Sequence, residues 1–180
     1  ASFFGRVNYD YNEKYMLSAI VRADGSSNFA RGHRWGIFPS VAAGWVVSSE
    51  PWMEGTKSVL DYLKLRASYC VLGNENIGDY QFMATIARGN YTYSFNGDKV
   101  TGSAISDYVN TALKWEKKKT LDIGLDYAMF GGKLEFNADW YKAVSEDLLY
   151  SVPVPAEAGA TNGSVTMNAA TMENTGLEFA

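Results

Sequence analysis

Between Trp115 and Lys142 the chain alternates residue character with a period of two. One set is Trp115, Lys117, Lys119, Leu121, Ile123, Leu125 and Tyr127; the other is Glu116, Lys118, Thr120, Asp122, Gly124 and Asp126. Successive side chains of a strand point to opposite faces, so the pattern predicts a β-strand with one apolar and one polar face. Phe130-Gly131-Gly132-Lys133 predicts a tight turn. Beyond it, Leu134, Phe136, Ala138 and Trp140 alternate with Glu135, Asn137, Asp139 and Tyr141. The polar set carries carboxylates where a soluble β-sandwich would place its core. The apolar set ends in Trp and Tyr, as a lipid-facing band between aromatic girdles does. About thirteen residues at ~3.3 Å each, tilted by ~40°, rise roughly 30 Å, enough to cross an outer membrane.

The same period predicts antiparallel strands near 2–11, 15–24, 35–47, 62–72, 114–127 and 133–142, with a seventh starting near 176. Leu17, Val21, Val41, Leu65, Leu121, Ile123, Leu125 and Phe136 fall on the expected outer face, and Arg22, Arg66, Asp122 and Asp139 on the inner one. Pro39 lacks an N–H for the ladder and predicts a bulge or a lost bond inside its strand. Ser49-Glu50-Pro51-Trp52 looks like a helix start and predicts a short amphipathic turn. Connections at 12–14 and 130–133 are short, those at 25–34 and 48–61 longer. Gly73–Ala112 and Ala143–Thr175 are long and polar, with short strands expected at 81–87 and 90–95. Short turns at one end and long loops at the other are the layout of an outer-membrane barrel, whose long loops face outward from the cell. The predicted fold class is therefore all-β, an antiparallel transmembrane barrel. Seven strands do not close such a barrel and open edges are not tolerated in lipid, so the chain is expected to be a fragment.

Composition narrows the alternatives. The 180 residues carry a net charge of −4, which gives no basic footprint for nucleic acid. Cys70 is the single cysteine, so no internal disulfide forms. No apolar run is long enough for a spanning helix.

Several phrases, in order along nearly the whole chain, resemble the SusC-like branch of TonB-dependent outer-membrane transporters of Bacteroidota. They are Gly5-Arg6-Val7-Asn8-Tyr9-Asp10-Tyr11, Arg22-Ala23-Asp24-Gly25-Ser26-Ser27-Asn28-Phe29, Arg34-Trp35-Gly36-Ile37-Phe38-Pro39-Ser40, Leu63-Lys64-Leu65-Arg66-Ala67-Ser68-Tyr69, Gly73-Asn74-Glu75-Asn76-Ile77-Gly78, Leu113-Lys114-Trp115-Glu116, Ile123-Gly124-Leu125-Asp126-Tyr127 and Asn174-Thr175-Gly176-Leu177-Glu178. Cys70 stands where the family usually has Gly. The resemblance implies a plugged barrel of about 22 strands, with residues 1–180 in the later part of the C-terminal barrel domain and the plug elsewhere. It implies energy-coupled import of oligosaccharides or peptides, a SusD-like surface lipoprotein as lid, and a TonB complex engaged through other regions.

Candidate chemistry is sparse. His33 is the only histidine, and Asp24, Ser26 and Ser27 lie near it in a polar loop. A triad needs an oriented base and a nucleophile together, so a solvated loop histidine is the reading taken. Asp122, Asp126, Glu135 and Asp139 could form a glycosidase pair or a hydrated lumen wall; the wall is preferred. Tyr91, Tyr93 and Phe95, with Asn76 and Asp79 nearby, offer ring faces and polar groups for a substrate or partner. Lys117 and Lys119 lie on the outer face near the loop end and are candidates for lipopolysaccharide contact. No cofactor or metal centre is expected. The alternatives to import are an outer-membrane barrel hydrolase and a soluble all-β carbohydrate-binding module.

Overall fold

The computed structural model describes residues 1–105, 108–155, 157 and 163–180, and the side chains of 87–91 and 104 lie outside that description. Nine strands are found among the described residues: β1 (Ser2–Tyr11), β2 (Tyr15–Gly25), β3 (Trp35–Val46), β4 (Leu60–Asn74), β5 (Ile86–Phe95), β6 (Asp98–Ile105), β7 (Glu116–Met129), β8 (Leu134–Pro153) and β9 (Ser164–Phe179). Seven form one antiparallel sheet in the order β1-β2-β3-β4-β7-β8-β9, and β5-β6 is a separate two-stranded hairpin. The two tight turns reverse direction through positive φ. Asn12 and Glu13 adopt 53° and 56°, and Phe130, Gly131 and Gly132 adopt 60°, 71° and 76°. Turns of that hand match the twist of the flanking strands.

Register sets the two faces. Val7, Ala19, Val41, Tyr69 and Leu121 form one cross-strand row, and Arg66, Gly124 and Asp139 form another on the opposite face. Leu17, Val21, Val41, Leu65, Leu121 and Ile123 are exposed, and Leu125 and Phe136 are half-buried on the same face. That face carries stacked aromatic pairs near both ends, Phe3 with Trp35 and Tyr15 with Trp45. From Trp35 to Trp45 the strand advances roughly 33 Å at ~3.3 Å per residue. At a tilt of ~40° this is about 25 Å along the normal, the height of an outer-membrane apolar band. The opposite face is concave. A trough of about 460 Å³ lies along it, lined by Met16, Ser18, Gly44, Lys64, Arg66, Ser68 and Asp122 among others.

Three expectations are corrected. The segment Ala143–Thr175, read as a loop, is mostly strand: β8 runs to Pro153 and β9 starts at Ser164. Register shifts between Ser145, Leu148 and Leu149, with Asp147 at φ 58°, throw the alternation out of phase there. At Pro39 the second of the two expected forms is found, a lost ladder bond without a bulge: it sits opposite Val21 in unbroken register, and pairing of β3 with β4 begins only at Ser40. The missing N–H therefore falls outside the β3–β4 ladder. A helix does start where expected, as the short 3-10 element Pro51–Thr56 with Pro51 at its first turn, but it buries no residue and so is not amphipathic. Trp115 leaves the outer face and is buried at 7% exposure with Phe29, Phe38, Val71 and Leu113. Phe29 and Phe38 contact its ring, and its indole N–H donates to the Arg34 carbonyl at 3.1 Å. A Cβ at Gly73 would collide with the Phe38 ring, so this core depends on a bare Cα in β4.

Candidate functional site

The inner wall is built around one cation. Arg66 on β4 reaches three carboxylates on two neighbouring strands: Asp122 at 3.5 Å, Asp126 at 3.2 Å and Asp139 at 2.6 Å. Arg66 stands directly across from Gly124, which stands across from Asp139. A Cβ on Gly124 would collide with Asp139 Oδ1 and approach the guanidinium carbon at 2.6 Å. Glycine in β7 is thus what lets the planar fork lie across a whole strand. Guanidinium suits this role because its donors are spread in a rigid plane. The side chains are part-exposed, 35% for Arg66 and 18–27% for the three aspartates, so the cluster is a wetted wall and not a dry ion pair. Towards the short-turn end, Glu135 and Asn137 line a second recess of about 540 Å³ with Tyr62 and Asp126. Towards the loop end, Arg22 and Ser2 both bond Asp24. Such a wall offers ion pairs and hydroxyls to a hydrated solute. The carboxylates are tied to Arg66 rather than set in opposition with space for a sugar between them, which favours the wall over the glycosidase pair.

The loop end carries the other candidates. The β5-β6 hairpin turns at Asn96-Gly97, with φ 53° and 86°. Asn-Gly between alternating residues is a strong hairpin signal, and it marks β6, which the alternation alone misses. Tyr93 and Phe95 lie on one face of β5 and are 56% and 70% exposed. Tyr91, also on β5, pairs with Gly102 of β6, but its side chain lies outside the described residues. Asn76 is exposed, its N–H bonded to the Asn74 side chain in a local turn. Asp79 lines a separate cleft of about 250 Å³ with Tyr80, Gln81 and Thr166. Among the described side chains, Asn76, Asp79, Tyr93 and Phe95 therefore do not form one pocket. The hairpin offers rings, and the 75–85 segment offers polar groups against β9.

That segment is held by the extended part of β8 and β9. Thr166 donates to Gln81 at 2.6 Å, Asn168 bonds the Lys114 and Asp147 carbonyls, and Lys114 pairs with Asp147 at 3.0 Å. On the outer face, Lys119 gives two hydrogen bonds to Glu146 and Lys142 pairs with Glu173 at 2.7 Å. At the short-turn rim Glu50 accepts from the Tyr15 hydroxyl at 2.6 Å and the Trp45 indole at 3.2 Å, with Lys14 at 3.6 Å. The Tyr15 bond first, then that from Trp45 and the Lys14 charge, hold its carboxyl below the ordinary value of 4.5, against the opposing effect of desolvation.

A family model described as TonB dependent receptor-like, beta-barrel, matches residues 1–180. TonB-dependent receptor P3 of Formosa agariphila is 40% identical over 179 residues, which are 99% of this chain and 17% of that protein. TonB-dependent receptor SusC of Bacteroides thetaiotaomicron is 36% identical over 181 residues, 99% of this chain and 18% of that protein. The RagAB peptide importer in its closed-closed state superposes with a TM-score of 0.84 at 32% identity, over 99% of this chain and 19% of that one. The siderophore receptor PirA from Pseudomonas aeruginosa, at 16% identity and a TM-score of 0.63, shares the fold. The chain thus spans less than a fifth of the length of the curated relatives it matches. These relatives are receptors and transporters, not hydrolases, and the barrel-hydrolase reading is set aside with them.

Proposed function

Since the chain belongs to the TonB-dependent receptor-like β-barrel family of the bacterial outer membrane, we propose that residues 1–180 are part of the C-terminal barrel domain of a transporter, with the plug elsewhere in the protein. The whole protein imports an oligosaccharide or a peptide. A SusD-like surface lipoprotein acts as its lid, and a TonB complex supplies energy through regions outside this chain. One observation carries the reading: a single sheet presents an apolar band about 25 Å tall outside and the Arg66–Asp122–Asp126–Asp139 wall inside. One guanidinium shared among three carboxylates fixes the aspartates in place and leaves a net-negative, hydrated wall along which a polar solute can pass. Similarity to the RagAB peptide importer and to SusC supports import, and it leaves both substrate classes in the proposal. Tyr93 and Phe95, with Tyr91, Asn76 and Asp79, are the recognition residues of this reading, because loops on a rigid scaffold carry binding.

The test is uptake by cells carrying the full-length gene or its deletion, offered mixed oligosaccharides and mixed peptides as sole nutrient. Loss of growth on one class upon deletion, restored by the gene, supports import and names the class. Unchanged growth on both, with the protein absent, contradicts the reading.

A further inference from the structure

Above the Ser40–Cys70 pair, β3 and β4 are no longer paired. A cleft of about 360 Å³ lies at this level between the upper ends of β3 and β7, lined by Trp35, Ile37 and Trp115 with His33, Lys114 and Lys117. Trp35, Ile37 and Lys117 all belong to the outward-facing set, so the cleft opens towards lipid. Trp35 and Ile37 are 56% and 65% exposed. Its height is fixed twice. Trp35 is the upper member of the girdle pair that brackets about 25 Å of apolar wall. On β7, the ten steps from Met129 (129 − 119 = 10) up to Lys119 cover the same ~25 Å, and Lys117 lies just above. The cleft therefore sits at the headgroup level of the loop-side leaflet.

The charges there are not alike. Lys119 is neutralised by Glu146 and Lys142 by Glu173, both on the outer face, and Lys114 shares Asp147. Lys117 stands across from Glu146 in the register, but the contacts of that carboxylate go to Lys119, and among the described residues no ion pair is made by Lys117. An ammonium left without a partner at the rim of an apolar, lipid-facing cleft is complementary to an amphiphile with an anionic head. The long-loop end faces the outer leaflet, whose anionic amphiphile is lipopolysaccharide. We propose that this cleft binds lipopolysaccharide, with a lipid A phosphate on Lys117, assisted by His33, and an acyl chain along Trp35 and Ile37. Lys119, although it faces the same way, takes no part because Glu146 already holds both of its short contacts. The site rests on the outer-membrane location and is independent of what the transporter imports.

The test uses the full-length protein in detergent, titrated by native mass spectrometry with bisphosphorylated lipid A, the same lipid dephosphorylated, and phosphatidylglycerol. Phosphorylated lipid A should bind about fivefold more tightly than the dephosphorylated form, the factor for one lysine at a charged lipid surface. Lys117→Gln should erase that preference and Lys119→Gln should keep it. Equal binding of the two lipid A forms to the unaltered protein would overturn the proposal without recourse to any variant. So would a Lys117→Gln protein that retains the preference. Tighter binding of phosphatidylglycerol than of lipid A would overturn the lipopolysaccharide assignment and give the cleft to phospholipid.

Discussion

Gly124 and Arg66 act as one unit. The guanidinium crosses β7 only because position 124 has no side chain, and the carboxylates of Asp122, Asp126 and Asp139 tolerate one another only because it does. Gly124→Val should push Arg66 off Asp139 and destabilise the barrel by about 1–3 kcal/mol, the usual range for overpacking; the urea midpoint of the full-length protein, read from its heat-modifiable mobility, measures it. Glu50 gives a second test at this scale. Its folded pKa is depressed, so the bonds from Tyr15 and Trp45 contribute their full stability above the ordinary value of 4.5 and lose it as pH falls through the lower folded value. Protease resistance of the 47–59 connector should stay flat from neutral pH down to about 4.5 and fall below it, and Glu50→Gln should remove that fall. The inward charges were legible from alternation alone, since a one-residue slip would have placed every one of them in lipid. Arg66 as their centre was not, because its partners lie 56 to 73 positions away (122 − 66 and 139 − 66). Trp115 was misread for a related reason. It continues the alternation of β7 without a break, and only the distant Arg34 carbonyl and the Phe29 and Phe38 rings show that it turns away.

At the level of elements, the β5-β6 hairpin belongs to a sheet of its own, and among the described residues no strand of the large sheet pairs with it. Replacing Tyr93 and Phe95 together by Ala should therefore leave barrel folding intact. Substrate uptake or lid affinity should fall about tenfold, the cost of removing an aromatic anchor from an interface. Uptake and lid affinity that both stay unchanged would remove the hairpin from recognition. Strands with unbroken alternation, β1 to β4 and β7, were placed by the sequence to within a few residues. The upper half of β8 and β9 was not. The bulge at Ser145–Leu149 brings Leu148 and Leu149 side by side and shifts the phase, so a strand reads as a loop. β8 is in fact long: its 20 residues extend roughly 66 Å at ~3.3 Å each, well beyond the membrane. β9, paired with this projecting part, carries the bonds that hold residues 81 and 114.

For the molecule as a whole, the account stands on one division: every second residue meets lipid and every other one meets water. Import, the lipid-facing cleft and the placement of the loops all depend on it. The most direct measurement is cysteine scanning along β7 in the full-length protein in outer membranes. Cys70 is first replaced by Ser, since it shares the inner face with Thr120. Single cysteines at Leu121, Asp122, Ile123, Leu125 and Asp126 are then treated with a small water-soluble thiol reagent. Reaction at 122 and 126, with 121, 123 and 125 protected, is the expected result. Reaction at 121, 123 and 125 with protection at 122 and 126, or equal reaction along the whole run, would contradict a membrane-spanning wall with a charged interior.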